Sequence, residues 1–132
     1  MAAKHVVFTL VENDERELEL RATPPNVVVD LGAGDPPLLK FTNLTPSRIR
    51  FGSLKSGKGY GPQTREVQRL NGRLGMLVGI QPFASVSLLL HELPPGQYRY
   101  EAAEDPASLP KSGRRRALRL TGNSDPGIII TP

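Results

Sequence analysis

Arg16-Glu17-Leu18-Glu19-Leu20-Arg21-Ala22 is the stretch on which the fold turns. Glu17, Glu19 and Arg21 alternate with Leu18, Leu20 and Ala22. A period of two puts the charged set on one face of an extended chain and the apolar set on the other. The segment predicts a half-buried antiparallel strand with one wet face. The same pattern repeats outward. Residues 5–11 predict a strand before it, with turn chemistry at Glu12-Asn13-Asp14-Glu15. After it, Thr23-Pro24-Pro25 breaks the chain, residues 26–31 resume extended structure, and Gly32-Ala33-Gly34-Asp35-Pro36-Pro37 forces a loop. Residues 38–42, 48–54, 86–93, 97–103 and 115–121 predict further strands. Residues 67–70 and 73–80 flank Asn71-Gly72, a hairpin signal whose two residues tolerate positive φ.

With 132 residues the chain predicts one domain, 1–132, large enough to hold a core without staples. Glycine and proline contribute 13 residues each, which excludes a helical bundle and favours many short strands. An all-β antiparallel sandwich is the expected architecture. The chain has no cysteine, so disulfides, thiol catalysis and cysteine-ligated metal are excluded. No segment reaches the apolar length of a membrane span. The run 6–11 is too short for a signal peptide, so none is expected in this sequence.

Charge is divided along the chain. Residues 1–35 carry three basic against seven acidic side chains, so a net charge of +4 leaves the remainder strongly basic. Such a split suits orientation of a charged partner, or a surface whose two regions neutralise each other.

Catalytic signals are few. Gly52-Ser53-Leu54-Lys55-Ser56-Gly57-Lys58 begins like a phosphate-binding loop, but Gly59 stands where a hydroxyl should hold magnesium, and Tyr60-Gly61-Pro62 cannot start a helix. Asn43-Leu44-Thr45 spells a glycosylation acceptor that is common by chance. Lys111-Ser112-Gly113-Arg114-Arg115-Arg116 is the one dense basic run, with no aromatic residue interleaved for base stacking. His5 and His91 are the only histidines, and no Gly-x-Ser-x-Gly elbow exists. Glu101 and Glu104 are expected to be solvated. No catalytic residue and no cofactor is assigned, and an enzyme is not expected.

Two segments carry a family pattern. Asn43-Leu44-Thr45-Pro46-Ser47-Arg48-Ile49-Arg50-Phe51 resembles the Asn-x-x-Pro-His-x-x-x-Phe of plastocyanin-like cupredoxins, the small copper sandwich proteins. Leu93-Pro94-Pro95-Gly96-Gln97-Tyr98-Arg99-Tyr100-Glu101-Ala102 is similar to that family's Leu-Pro-x-Gly-x-Tyr-x-Phe/Tyr-x-Cys. The resemblance implies a Greek-key, cupredoxin-like sandwich. It also implies degenerate ligand positions: Ser47 for the first histidine, Ala102 for the cysteine, Asp105 for the second histidine and Pro110 for the methionine. A blue-copper site needs two imidazoles and a thiolate, so copper electron transfer is excluded by the donor set. Tyr98, Tyr100 and Ala102 share parity and are expected in the core, with Tyr98 as a tyrosine corner whose hydroxyl returns to nearby backbone.

The expected function is that of a non-catalytic, copper-free structural or binding subunit of a larger protein assembly. Docking on a membrane-associated complex is one form of it, and an extracytoplasmic compartment is compatible with the resemblance. The alternative is a basic domain binding nucleic acid or another polyanion. Candidate contacts are Lys55, Lys58 and Tyr60 in a loop over 53–63, Arg114, Arg115 and Arg116 in the basic run, and Ile128, Ile129 and Ile130 at the end. Three consecutive isoleucines cannot all face one side of a strand. Residues 127–132 are therefore expected to be an edge strand or an apolar tail that docks on a partner.

Overall fold

The computed structural model describes residues 3–51, 55–56, 79–90, 93–109, 116–120 and 127–132. These residues form β1 (Lys4–Glu12), β2 (Leu18–Thr23), β3 (Asn26–Asp30), β4 (Leu38–Asn43), β5 (Ile49–Phe51), β6 (Lys55–Ser56), β7 (Ser85–Leu89), β8 (Gly96–Arg99), β9 (Ala102–Glu104) and β10 (Gly127–Thr131). One 3-10 turn, Pro106–Ser108, follows β9. The all-β class holds. The Asn71-Gly72 hairpin and the strand at 67–70 lie outside the described residues, as does most of the strand at 73–80.

The first sheet runs β2-β1-β4-β7 and the second β3-β10-β8-β6, while β5 and β9 pair in a small third sheet. β2 answers its alternation: it pairs antiparallel with β1, Leu20 is buried, and Glu19 and Arg21 form an ion pair on the other face. The expected purely antiparallel arrangement is corrected. β1 pairs parallel with β4, and β3 pairs parallel with β10, so both large sheets are mixed. A period of two encodes which face a residue takes, not which way its neighbour runs.

The placement of the last strand is the second correction. β10 is neither an edge nor a docking tail, because it lies between β3 and β8 with hydrogen-bonded neighbours on both sides. Ile128 and Ile130 fill the core, so their side chains are not available to a partner. Ile129 points the other way, half-buried beside its register partner Val28. Val27-Val28-Val29 and Ile128-Ile129-Ile130 thus meet residue for residue, two β-branched runs forming one parallel ladder. Two smaller corrections follow. The strand predicted over 97–103 divides into β8 and β9, which join different sheets. Within the loop predicted over 53–63, Lys55–Ser56 pair with β8.

Both large sheets contribute to a single core. Val6, Phe8, Leu39, Phe41, Leu88 and Leu90 come from or beside the first sheet, and Val27, Val29, Tyr98, Ile128 and Ile130 from the second. Phe41 lies at its aromatic centre, 5.8 Å from Phe8, 4.9 Å from Phe51 and 5.6 Å from Tyr100 between ring centroids. The two tyrosines of the Pro-Pro-Gly segment have opposite fates. Tyr98 donates its hydroxyl hydrogen bond to the Pro94 carbonyl, as a tyrosine corner does. Tyr100 is 2% exposed and its hydroxyl has no hydrogen-bond partner among the described residues.

Replacing Tyr100 by Phe will therefore stabilise the fold by about 1–2 kcal/mol, because a buried hydroxyl without a partner carries its full desolvation penalty. Tyr98→Phe will destabilise by about 1 kcal/mol, since it leaves the Pro94 carbonyl without its donor. Burial also pushes the Tyr100 phenol well above its ordinary pKa of 10.0. Above that pH the unfolded chain releases a proton that the folded chain retains, so stability is whole below pH 10 and falls as pH rises beyond it. Urea titrations of wild type and Tyr100→Phe across pH 8–11 will show the variant losing less stability on the alkaline side. A variant less stable than wild type at neutral pH would contradict the orphaned hydroxyl.

Candidate functional site

β4 ends in Asn43, and the loop that follows is built around that side chain. Asn43 Oδ1 accepts from the Thr45 amide at 2.9 Å and from Thr45 Oγ1 at 2.7 Å. Its Nδ2 donates to the carbonyls of Ser47, Ile80 and Gln81 at 2.7, 2.9 and 3.3 Å. The Ser47 carbonyl lies 2.9 Å from Thr45 Oγ1 and shares that single hydroxyl proton with Asn43 Oδ1. Asn43 is 0% exposed, so in the folded protein the Asn43-Leu44-Thr45 acceptor is closed to a glycan.

This loop meets the turn after β9. The Asp105 amide donates to the Arg48 carbonyl at 2.8 Å, and the Arg48 amide donates to Ser108 Oγ at 3.0 Å. Ser108 Oγ in turn donates to the Asp105 carbonyl at 2.7 Å. Asp105 caps the 3-10 turn through Oδ1, which accepts from the Ala107 amide at 3.0 Å, and its Oδ2 lies 3.8 Å from Arg48 Nη1. Gly79 allows Arg48 this place: a Cβ there would stand 2.6 Å from Arg48 Nε and 2.7 Å from the Ile49 carbonyl.

Ser47, Ala102 and Asp105 are all buried, in or beside the two segments that meet here. Pro110 lies outside the described residues. A hydroxyl, a methyl group and a carboxylate offer neither the imidazoles nor the thiolate that copper(II) requires in a blue site. Among the described residues no group of three or more His, Cys, Asp or Glu side chains gathers where it could hold a metal ion.

The remaining candidates disperse. Lys58, Tyr60, Arg114 and Arg115 lie outside the described residues. Arg116 is exposed and already engaged, Lys55 belongs to β6, and Ile128 and Ile130 are interior. No described helix is long and apolar enough to cross a membrane.

A second region, not anticipated, lies over the small sheet. Arg50 pairs with Ala103 across β5 and β9, and Ala103 pairs with Arg119 on its other side. Directly paired antiparallel residues share a face, so two arginines flank one alanine. They border a half-open groove of about 480 Å³, whose walls include Phe51, Leu120 and the two glutamates Glu101 and Glu104. The expectation of two solvated glutamates holds for Glu101 alone. Glu104 is 1% exposed, and its Oε1 accepts from the Leu118 amide at 3.0 Å. The signal was present in the chain: Glu104 has the parity of Ala102, a core position. Comparison with protein-family models, with curated proteins and with solved structures finds no match to this chain.

Proposed function

We propose that the protein is a copper-free, cupredoxin-like Greek-key domain that serves as a non-catalytic structural or binding subunit of a protein assembly. One observation carries the reading. The two segments that resemble the copper sandwich family, far apart in the chain, come together where Phe51 pairs with Ala102, and just past the second segment Asp105 meets Arg48. Where that family would place a metal between them, this chain has a buried serine, an alanine and an Arg48–Asp105 ion pair. The half-buried Arg48 cation then joins this part of the fold, and the scaffold is left for binding.

The scaffold half of this reading is tested by restoring ligands. Ser47→His, Ala102→Cys and Asp105→His together will produce an intense visible thiolate-to-copper band on adding Cu(II), and wild type will produce none. A folded triple variant that binds Cu(II) without such a band would count against the cupredoxin-like arrangement. The assembly half is tested by cross-linking and native purification of the tagged full chain, which will recover a stoichiometric protein partner. Retention on DNA with a steep salt dependence, and no protein partner, would favour the polyanion alternative instead.

A further inference from the structure

β3 is the outermost strand of the second sheet among the described residues, and β10 covers only one of its two edges. Alternate residues of a strand turn their amide and carbonyl to opposite neighbours. The Leu31 amide donates to the Thr131 carbonyl at 3.0 Å and the Gly127 amide to the Pro25 carbonyl at 3.0 Å, so the odd-numbered positions face β10. The backbone groups of Asn26, Val28 and Asp30 therefore point to the other edge. Val28 also presents its side chain, 44% exposed, on the outer face of the sheet. A β-branched edge of this kind is a template for pairing with another chain.

Asp35 closes one end of that edge. Its Oδ2 accepts from the Asp30 amide at 2.9 Å, and its own amide donates to the Asp30 carbonyl at 3.0 Å. A residue directly opposite on an antiparallel strand makes the same two-way exchange. The chain reaches this place by reversing through Gly34 at φ 91°, a conformation that favours glycine. Lys4 of β1 stands 3.7 Å from the same Oδ2 and holds the carboxylate from the first sheet. Asp35 thus does for Asp30 what an added strand would do.

The sequence of the edge says which strand that would be. Asn26-Val27-Val28-Val29-Asp30 has polar ends and an apolar middle. Two copies running antiparallel about a two-fold axis set Val28 opposite Val28 and Asn26 opposite Asp30, with no like charges paired. We propose that Asp35 guards the β3 edge against pairing with a second copy of this chain. With Asp35 in place both Asn26–Asp30 pairs are closed, and the central Val28 pair alone is too little for a stable ribbon. The guard belongs to the single chain and stands apart from the binding-subunit reading.

Sedimentation velocity of the full chain over a range of concentrations tests the guard. Asp35→Ala frees the Asp30 amide and loosens the turn that covers it. Wild type will sediment as a monomer, and Asp35→Ala will dimerise with a dissociation constant about tenfold or more below that of wild type, the scale of a charge-assisted hydrogen bond. Asp35→Asn keeps a side-chain oxygen for the Asp30 amide and will stay monomeric. Adding Val28→Lys to Asp35→Ala will restore the monomer, because it sets two lysines against each other. A monomeric Asp35→Ala, or a dimer indifferent to Val28→Lys, would overturn the proposal. Amide hydrogen exchange of wild type needs no variant to fold. The Asp30 amide will exchange slowly and the Val28 amide fast, whereas a protected Val28 amide would show the edge already covered and the guard without a purpose.

Discussion

Removing residues 127–132 will abolish cooperative folding. β10 is an inner strand, so its loss strips hydrogen-bonded neighbours from both β3 and β8 and empties the Ile128 and Ile130 positions of the core. Truncating a buried isoleucine to alanine costs about 2–5 kcal/mol. Two such losses consume most of the roughly 5–15 kcal/mol that holds a domain folded, before the broken ladders are counted. The point variants separate the two faces. Ile128→Ala and Ile130→Ala will each lower stability by about 2–5 kcal/mol, whereas Ile129→Ala, half-buried on the other face, will cost about 1 kcal/mol. Urea unfolding followed by circular dichroism measures all three. A truncated chain melting within a few degrees of wild type would show that the strand is dispensable.

Asn43→Ala will destabilise the protein by about 3 kcal/mol or more, because a fully buried amide with five hydrogen bonds leaves unpaired groups behind it. The Thr45 amide loses its acceptor and the Gln81 carbonyl its side-chain donor. Asn43→Asp will be at least as damaging. It keeps the acceptor but turns a carboxylate toward three carbonyl oxygens. Leu44→Ala, at an exposed neighbouring position, serves as the control and will change stability by less than about 0.5 kcal/mol. Thermal unfolding of the three variants decides the matter. An Asn43→Ala protein as stable as the control would mean that the network contributes nothing.

The strands of this protein were legible because alternation records burial directly. Leu18, Leu20 and Ala22 predicted the inner side of β2, and Leu20 is its buried centre, Leu18 remaining open at the strand end. Tyr98, Tyr100 and Ala102 were expected inward and all three are buried, even though the chain breaks between β8 and β9. Core parity survived the break because both halves border the same core. Strand direction was not legible, and the position of β10 was misjudged for a related reason. A continuous β-branched run reads equally well as an exposed sticky tail or as an inner strand of a parallel pair. The matching run at Val27-Val28-Val29 could have decided between them. Of the candidate site, neither the meeting of Arg48 with Asp105 nor the Arg50–Ala103–Arg119 row was legible, because both depend on a cross-strand register that no local motif spells.

The parallel ladder between β3 and β10 has a kinetic consequence. Val27 and Ile128 are register partners roughly a hundred positions apart, so the second sheet closes only through a very long loop. Contacts of such separation place a domain among the slow two-state folders, with relaxation in about milliseconds to seconds. On the ribosome the sequence of events is stricter. β1, β2 and β4 are able to pair as soon as they emerge, but β3 waits with an open edge until residue 131 has left the exit tunnel. Until that moment Val27-Val28-Val29 lacks its one partner among the described residues and is a β-branched run open to misassociation.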